Sequence, residues 1–278
     1  MIEKNAVTLQ DVSCFGKCSV TVALPTISAM GISCAVIPTA VLSTHTGGFK
    51  GFTFRDLTDD ITPIADHWEK EKLTFDGIYT GYLGSEKQIE IISDFFDRFG
   101  GDALVFVDPA MADLGVLYSG FDKKFVKTMR RLCAKADVVV PNITEAAMLL
   151  DAEYKADGYD RAYVERLLRG LCGLGAKKAV LTGVSFDAEH QGTMSFDSET
   201  GVFEEYYAEN LPVRCHGTGD VFASAFFGAL LLEKTMKEAM KIAVDFTVES
   251  IKATMGDESH WYGVKFEKCL PGLIDSIK

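Results

Sequence analysis

Long apolar runs are missing from this sequence. The most apolar stretch, residues 223–232, is too short to cross a bilayer and already contains Ser224 and Gly228, so no membrane partner is expected. Positive charge is scarce as well. Lys plus Arg number 28 against 40 Asp plus Glu, and a net charge of −12 repels a phosphate polymer, which argues against nucleic acid. A single nucleotide stays possible, because a few backbone amides and one cation can hold it locally. The first residues lack the basic segment and following apolar core of a secretion signal. Seven cysteines, an odd number scattered at 14, 18, 34, 133, 172, 215 and 269, read as reduced thiols, and a cytoplasmic location is expected. Cys14 and Cys18 find no second Cys or His pair at zinc-ligand spacing. Repeats, low-complexity segments and Pro/Gly/Ser-rich linkers are absent, which predicts one domain over residues 1–278.

What is present is enough apolar residue, 47% of 278, for a large core. Short β-branched runs at 6–9, 34–42, 75–83, 103–108, 137–141 and 178–182 read as strands, most of them apolar on both faces. Strands of that kind belong to a parallel sheet covered on each side, and amphipathic segments lie between them. Ser85-Glu86 opens one helix, ending near Gly100-Gly101, and Thr144-Glu145 opens another. Runs at 193–196 and 202–207, separated by turn residues, predict an antiparallel edge hairpin, after which the chain is helical to its end. The expected fold is α/β: a three-layer sandwich with a mostly parallel central sheet flanked by helices.

Candidate chemistry starts at His216-Gly217-Thr218-Gly219-Asp220, a loop entering a helix near Thr218. Glycines let amides converge, and the unpaired N–H groups of a helix's first turn make an anion hole. Asp220 puts a carboxylate at that same end. The plain alternative is that Thr218 or Asp220 only caps the helix. A carboxylate beside an anion hole makes chemical sense when an alcohol attacks a phosphoryl group, the acid taking the hydroxyl proton. Nucleotide and metal ligands are then sought at other strand ends. Asp108 follows one apolar strand; Asn142 and Glu145 follow another. Mg²⁺ commonly takes one or two carboxylates together with phosphate oxygens and waters.

Together these segments resemble the pyridoxal kinase family of the ribokinase superfamily. The resemblance runs through Ile-Pro-Thr-Ala-Val-Leu-Ser-Thr-His-Thr at 37–46, Thr-Gly-Tyr-Leu-Gly-Ser at 80–85 and Val-Asp-Pro-Ala-Met-Ala-Asp at 107–113. It continues through Pro-Asn-Ile-Thr-Glu at 141–145, Val-Leu-Thr-Gly at 180–183 and Gly-Thr-Gly-Asp at 217–220. It implies Asp220 as catalytic base and Gly217, Thr218 and Gly219 as its anion hole. It further implies Asp108, Asn142 and Glu145 around the ATP phosphates and Mg²⁺, with Asp108 and Glu145 toward the metal. Thr182 matches a nucleotide contact, and Asp113 an acid near the phosphates. Ser43, Thr44, His45 and Thr46 match the loop beside the pyridine ring, and Tyr82 an aromatic residue lining that pocket, although His45 can also be read as a surface histidine and Tyr82 as core.

The implied activity is ATP-dependent phosphorylation of the 5′-hydroxymethyl group of a vitamin B6 vitamer, with ATP as co-substrate, Mg²⁺ and K⁺ as candidate ions, and a homodimer. Three departures stand out. Asp11 replaces the family's usual serine at a substrate-binding position, Ala112 precedes Asp113 where glycine is common, and Val140 stands where some members carry a hydroxyl. The rival readings are a kinase for another hydroxymethyl heterocycle, such as the thiamin-precursor pyrimidine, a sugar kinase, and a nucleotide-binding protein without turnover.

Overall fold

The computed structural model describes residues 3–278. In chain order the elements are β1 (Asn5–Ser13), α1 (Val20–Ala29), β2 (Ser33–Leu42), β3 (Phe54–Asp56), α2 (Thr58–Lys70), β4 (Gly77–Thr80), α3 (Glu86–Phe99) and β5 (Leu104–Val107). There follow β6 (Ala112–Asp113), β7 (Val116–Leu117), α4 (Lys123–Cys133), β8 (Val138–Val139), α5 (Ile143–Leu149), α6 (Arg161–Gly173) and β9 (Lys178–Val184). The chain closes with β10 (His190–Asp197), β11 (Phe203–Glu209), α7 (Thr218–Leu231), α8 (Met236–Lys252), two short 3₁₀ turns and α9 (Leu270–Ser276). The fold class is α/β with a mostly parallel sheet flanked by helices, as the apolar two-faced strands predict. Among the described residues no helix is long and apolar enough to cross a membrane.

Two compact units divide the chain: residues 1–79 with 211–278, and residues 80–210. In the first, β1 pairs in parallel with β2, and β2 carries the short antiparallel β3 at its far side. Periodicity missed β3 because its three residues are all exposed and carry no apolar alternation. The β1–β2 register breaks at one place. Gln10 faces Pro38 while Val12 faces Val41, so two residues of β2, Thr39 and Ala40, lie opposite Asp11 alone. Pro38 brings no N–H to the ladder, and bulges of this kind re-aim side chains near functional sites. Helix α7, whose residues from Val221 to Gly228 are all buried, packs on α1 and α8, and Gly228 lets the Met30 side chain approach.

In the second unit β5, β8 and β9 run parallel, and the antiparallel β10–β11 hairpin follows β9. The hairpin expected at 193–207 is present and longer at both ends. Its turn is held by Asp197 Oδ1, which accepts from the backbone N–H groups of Glu199 and Thr200. The strand expected over 75–83 stops at Thr80. Gly81 to Gly84 leave the ladder, Gly84 N–H donates to Gln88 Oε1 at 2.7 Å, and Ser85 Oγ caps α3. Helix α5 begins at Ile143, one residue before the expected Thr144, because Asn142 is its cap.

Candidate active site

In the first unit, Gly217 is the N-cap of α7 and lies in the left-handed region at φ 76°. A side chain there would drive its Cβ to 1.7 Å from the Lys17 carbonyl oxygen, so only glycine fits. Neither Thr218 nor Asp220 caps the helix. Thr218 Oγ1 turns back to the Cys215 carbonyl, and no side chain caps the first-turn amides. Dense protein surrounds the Asp220 carboxylate although the residue keeps partial exposure. That burial pushes its pKa up to about 7; the Ser19 backbone N–H and the Cys18 thiol, which hydrogen bond to it, pull the other way, and the Asp11 charge raises it further. Asp220 is therefore not the only acid at this helix end.

Asp11 is buried, 4% exposed, and its Oδ2 accepts from Ser13 Oγ at 2.9 Å. Burial raises its pKa, and hydrogen bonding from Ser19 and Ser13 lowers it. Ser19 thus serves both acids. It is a non-glycine residue at φ 55°, ψ −133°, a strained setting of the kind found where side chains must be held for function. Nothing in the sequence marks Ser19, since its importance comes from a backbone angle and two contacts distant in the chain. Cys18, singled out only for its spacing from Cys14, instead faces the two carboxylates, and its thiol pKa is raised by burial and then by their charges.

The loop after β2 lies against residues 14–18: Phe15 N–H donates to the Ser43 carbonyl, and His45 N–H to the Phe15 carbonyl. Ser43 Oγ accepts from the Thr53 N–H, and Thr46 is exposed. Thr44 Oγ1 is buried with no hydrogen-bond partner. His45 is buried, not a surface residue, and its ring lies 5.3 Å from that of His216. Burial lowers its pKa.

In the second unit Asn142 and Glu145 form a reciprocal capping box on α5. Glu145 Oε2 accepts from the Asn142 N–H at 2.9 Å, and Oε1 from the Met111 and Ala112 N–H groups at 3.0 and 3.4 Å. Asn142 Nδ2 donates to the Ala112 carbonyl at 2.8 Å. The pair thereby grips both sides of Ala112, next to the exposed Asp113, whose Oδ1 accepts from the Leu114 N–H. Thr182 bridges to Asn142 in parallel, and its N–H donates to the Pro141 carbonyl. Asp108, just past β5, donates its N–H to the Thr80 carbonyl. Burial lifts the Glu145 carboxyl well above the ordinary carboxylate range, against the pull of its three backbone donors, and the Asp113 charge lifts it further. Cys133 is buried where the charges of Glu145 and Asp108 both reach it, and burial followed by those charges raises its thiol pKa. Tyr82 stacks on Phe121, centroids 5.6 Å apart.

Among the described residues no group of three or more His, Cys, Asp or Glu forms a cation cage. A Glu145 whose carboxylate is already satisfied by three backbone amides, with the Asp113 charge nearby, fits a hydrated Mg²⁺ that brings phosphate oxygens as ligands, not a bare ion held by protein alone.

An α/β fold of this kind, with a glycine-capped helix presenting an aspartate, is that of the ribokinase-like kinases. The chain belongs to the phosphomethylpyrimidine kinase family, whose model matches residues 20–263. It is similar to a putative phosphomethylpyrimidine kinase from Bacteroides thetaiotaomicron, 38% identical, with TM-scores of 0.93 and 0.92 for two crystal forms, the latter solved with pyridoxal. The alignments cover 98% of this chain and 94% and 96% of those chains. Pyridoxal kinase from Lactobacillus plantarum is 31% identical with a TM-score of 0.89, covering 98% of this chain and 97% of that one. A chloroplastic thiamine biosynthetic bifunctional enzyme from Arabidopsis thaliana is 26% identical over 86% of this chain, which spans 46% of that enzyme's length.

Proposed function

We propose that this chain is a vitamin B6 kinase, transferring the γ-phosphoryl group of ATP to the 5′-hydroxymethyl group of pyridoxal, pyridoxamine or pyridoxine. The observation that carries the reading is Asp220: a carboxylate packed in dense protein at the amide-lined start of α7, where burial pushes its pKa up to about 7. A general base works best when its pKa lies near the working pH. Asp220 takes the proton from the acceptor hydroxyl as oxygen attacks phosphorus, while the amides of Gly217, Thr218 and Gly219 stabilise charge on the transferring group. Asn142, Asp113 and Thr182 would contact ATP, and Asp108 and Glu145 would hold Mg²⁺, directly or through water. When bound, Mg²⁺ neutralises phosphate charge. In the acceptor site Asp11, Ser43, Thr44, His45, Thr46 and Tyr82 recognise the vitamer, and the unpartnered Thr44 hydroxyl supplies a hydrogen bond to it. On this reading residues 1–278 form one kinase domain, working in the cytoplasm as a homodimer.

The choice of a pyridine over a pyrimidine is supported by the Lactobacillus pyridoxal kinase and by the pyridoxal bound to the Bacteroides relative. The family model and the plant thiamine enzyme favour a second reading, a hydroxymethylpyrimidine kinase. A coupled ADP-release assay with the three B6 vitamers, hydroxymethylpyrimidine and ribose separates the two. Turnover of hydroxymethylpyrimidine with none of the vitamers rejects the first reading. Absence of any turnover, with ATP still bound, returns the protein to a nucleotide binder.

A further inference from the structure

One aromatic cluster in the first unit joins His45 to four rings that have no part in the chemistry above. Phe15, His45, Phe49, Trp261 and Tyr262 come from three separate segments and touch in series. Phe49 and Trp261 lie 4.5 Å apart by ring centroid, Phe15 and Tyr262 4.7 Å, and His45 and Phe49 5.0 Å. The cluster is built to be rigid. His45 Nδ1 accepts the Gly47 N–H at 3.0 Å, which leaves the ring proton on Nε2, and Nε2 donates to the Tyr262 carbonyl at 2.7 Å. Two glycines let the segments close together: a Cβ on Gly48 would come within 2.9 Å of the Trp261 ring, and one on Gly263 within 2.3 Å of Lys17. Lys17 itself pairs with Glu267 and lies over the Phe266 ring.

Rigid aromatic surface is normally buried, yet Trp261 is 49% and Phe15 50% exposed. The cluster is also joined to the acceptor chemistry. Gly47 abuts the His216 ring, and His216 lies four residues before Asp220; Phe15 belongs to the loop that brings Cys18 and Ser19 to the same acid. Pre-mounted aromatic faces beside polar groups are what a flat, partly apolar ligand needs, because little ordering is left to do on binding.

We propose that the turn at 260–263 is a fixed wall of the acceptor site, with Trp261 the ring on which a planar heteroaromatic alcohol stacks. This rests on the kinase reading for its ligand class and covers pyridine and pyrimidine alike. Trp261 is then a specificity-determining residue and His45 a positioning residue that holds it through Tyr262.

The chain's other tryptophan, Trp68, packs on Phe75 in a different part of the unit, so Trp68→Phe leaves Trp261 as the sole indole. Adding pyridoxine to that variant should quench its emission, with a midpoint tracking the acceptor KM. Trp261→Ala should raise acceptor KM about tenfold while leaving kcat and the KM for ATP within about twofold, and Trp261→Phe should restore most of the loss. Heterocycle turnover with unmoved Trp261 emission, or with unchanged acceptor KM in Trp261→Ala, overturns the wall alone. An altered sedimentation coefficient with unchanged KM does the same and assigns the ring to contact with a second copy. Quenching without turnover keeps the wall and rejects the kinase; turnover of ribose with neither heterocycle rejects both.

Discussion

Asp220 owes its raised pKa to where the chain puts it. Because its folded pKa, about 7, lies above the ordinary 3.8, the folded state holds a proton that the unfolded chain releases earlier. Stability from this group is present at low pH and is lost as pH rises from about 4 to about 7. Asp220→Asn, which never ionises, should therefore have a higher Tm than wild type at pH 8, by roughly 2–4 °C for each kcal/mol relieved, with the difference vanishing near pH 4. The same variant should lose about 10²-fold or more in kcat. Near-wild-type turnover would remove Asp220 from the mechanism. Asp11 raises Asp220 through its charge, and on the kinase reading it would also accept a hydrogen bond from the substrate. Asp11→Ser should shift the acid limb of the kcat/KM profile to lower pH, and should change the ranking of the three vitamers by about tenfold. A single common factor for all three, with an unmoved limb, would assign Asp11 a purely structural role.

At the scale of elements, the starts of α7 and α5 carry candidate site residues, and the α7 start tolerates little change. Gly217→Ala places a side chain at φ 76° and against the Lys17 carbonyl, whereas a Cβ on Gly219 meets nothing within 4 Å. The first substitution should cost at least about 1–3 kcal/mol in denaturant unfolding and most of the activity; Gly219→Ala should leave stability nearly unchanged. Equal effects would mean that the α7 cap is not a constrained position. The α5 capping box is the corresponding device in the second unit. Glu145→Gln keeps one acceptor oxygen and loses the charge, so the Mg²⁺ concentration for half-maximal rate should rise while the helix stays capped. An unchanged Mg²⁺ titration would leave Glu145 as a brace for the Met111–Ala112 backbone and nothing more.

For the whole molecule, all seven cysteines are free, and none is paired in the structure. Seven thiols per chain should titrate in denaturant without reductant. A lower number in freshly purified protein would point to a disulfide the fold does not contain. The net charge of −12 has a related consequence: on the kinase reading ATP, itself anionic, would be drawn in by local amides and a cation rather than by the field of the surface.

The sequence by itself determined the α/β class, the edge hairpin, the helical C-terminal part and the glycine-aspartate start of α7. Each of these is written in contiguous residues, through two-faced apolar runs, turn chemistry and helix caps. The Thr-Gly-Tyr-Leu-Gly-Ser and Leu-Ser-Thr-His-Thr segments carried the family resemblance in the same local way. Only the tertiary structure decided that Asp11 sits at a β-bulge beside Asp220, that a strained Ser19 serves both acids, and that Glu145 is held by amides 33 and 34 residues away. Strand β3 and the Trp261 cluster were equally hidden. Their partners are distant in sequence, and burial, charge coupling and ring contact exist only once those partners meet.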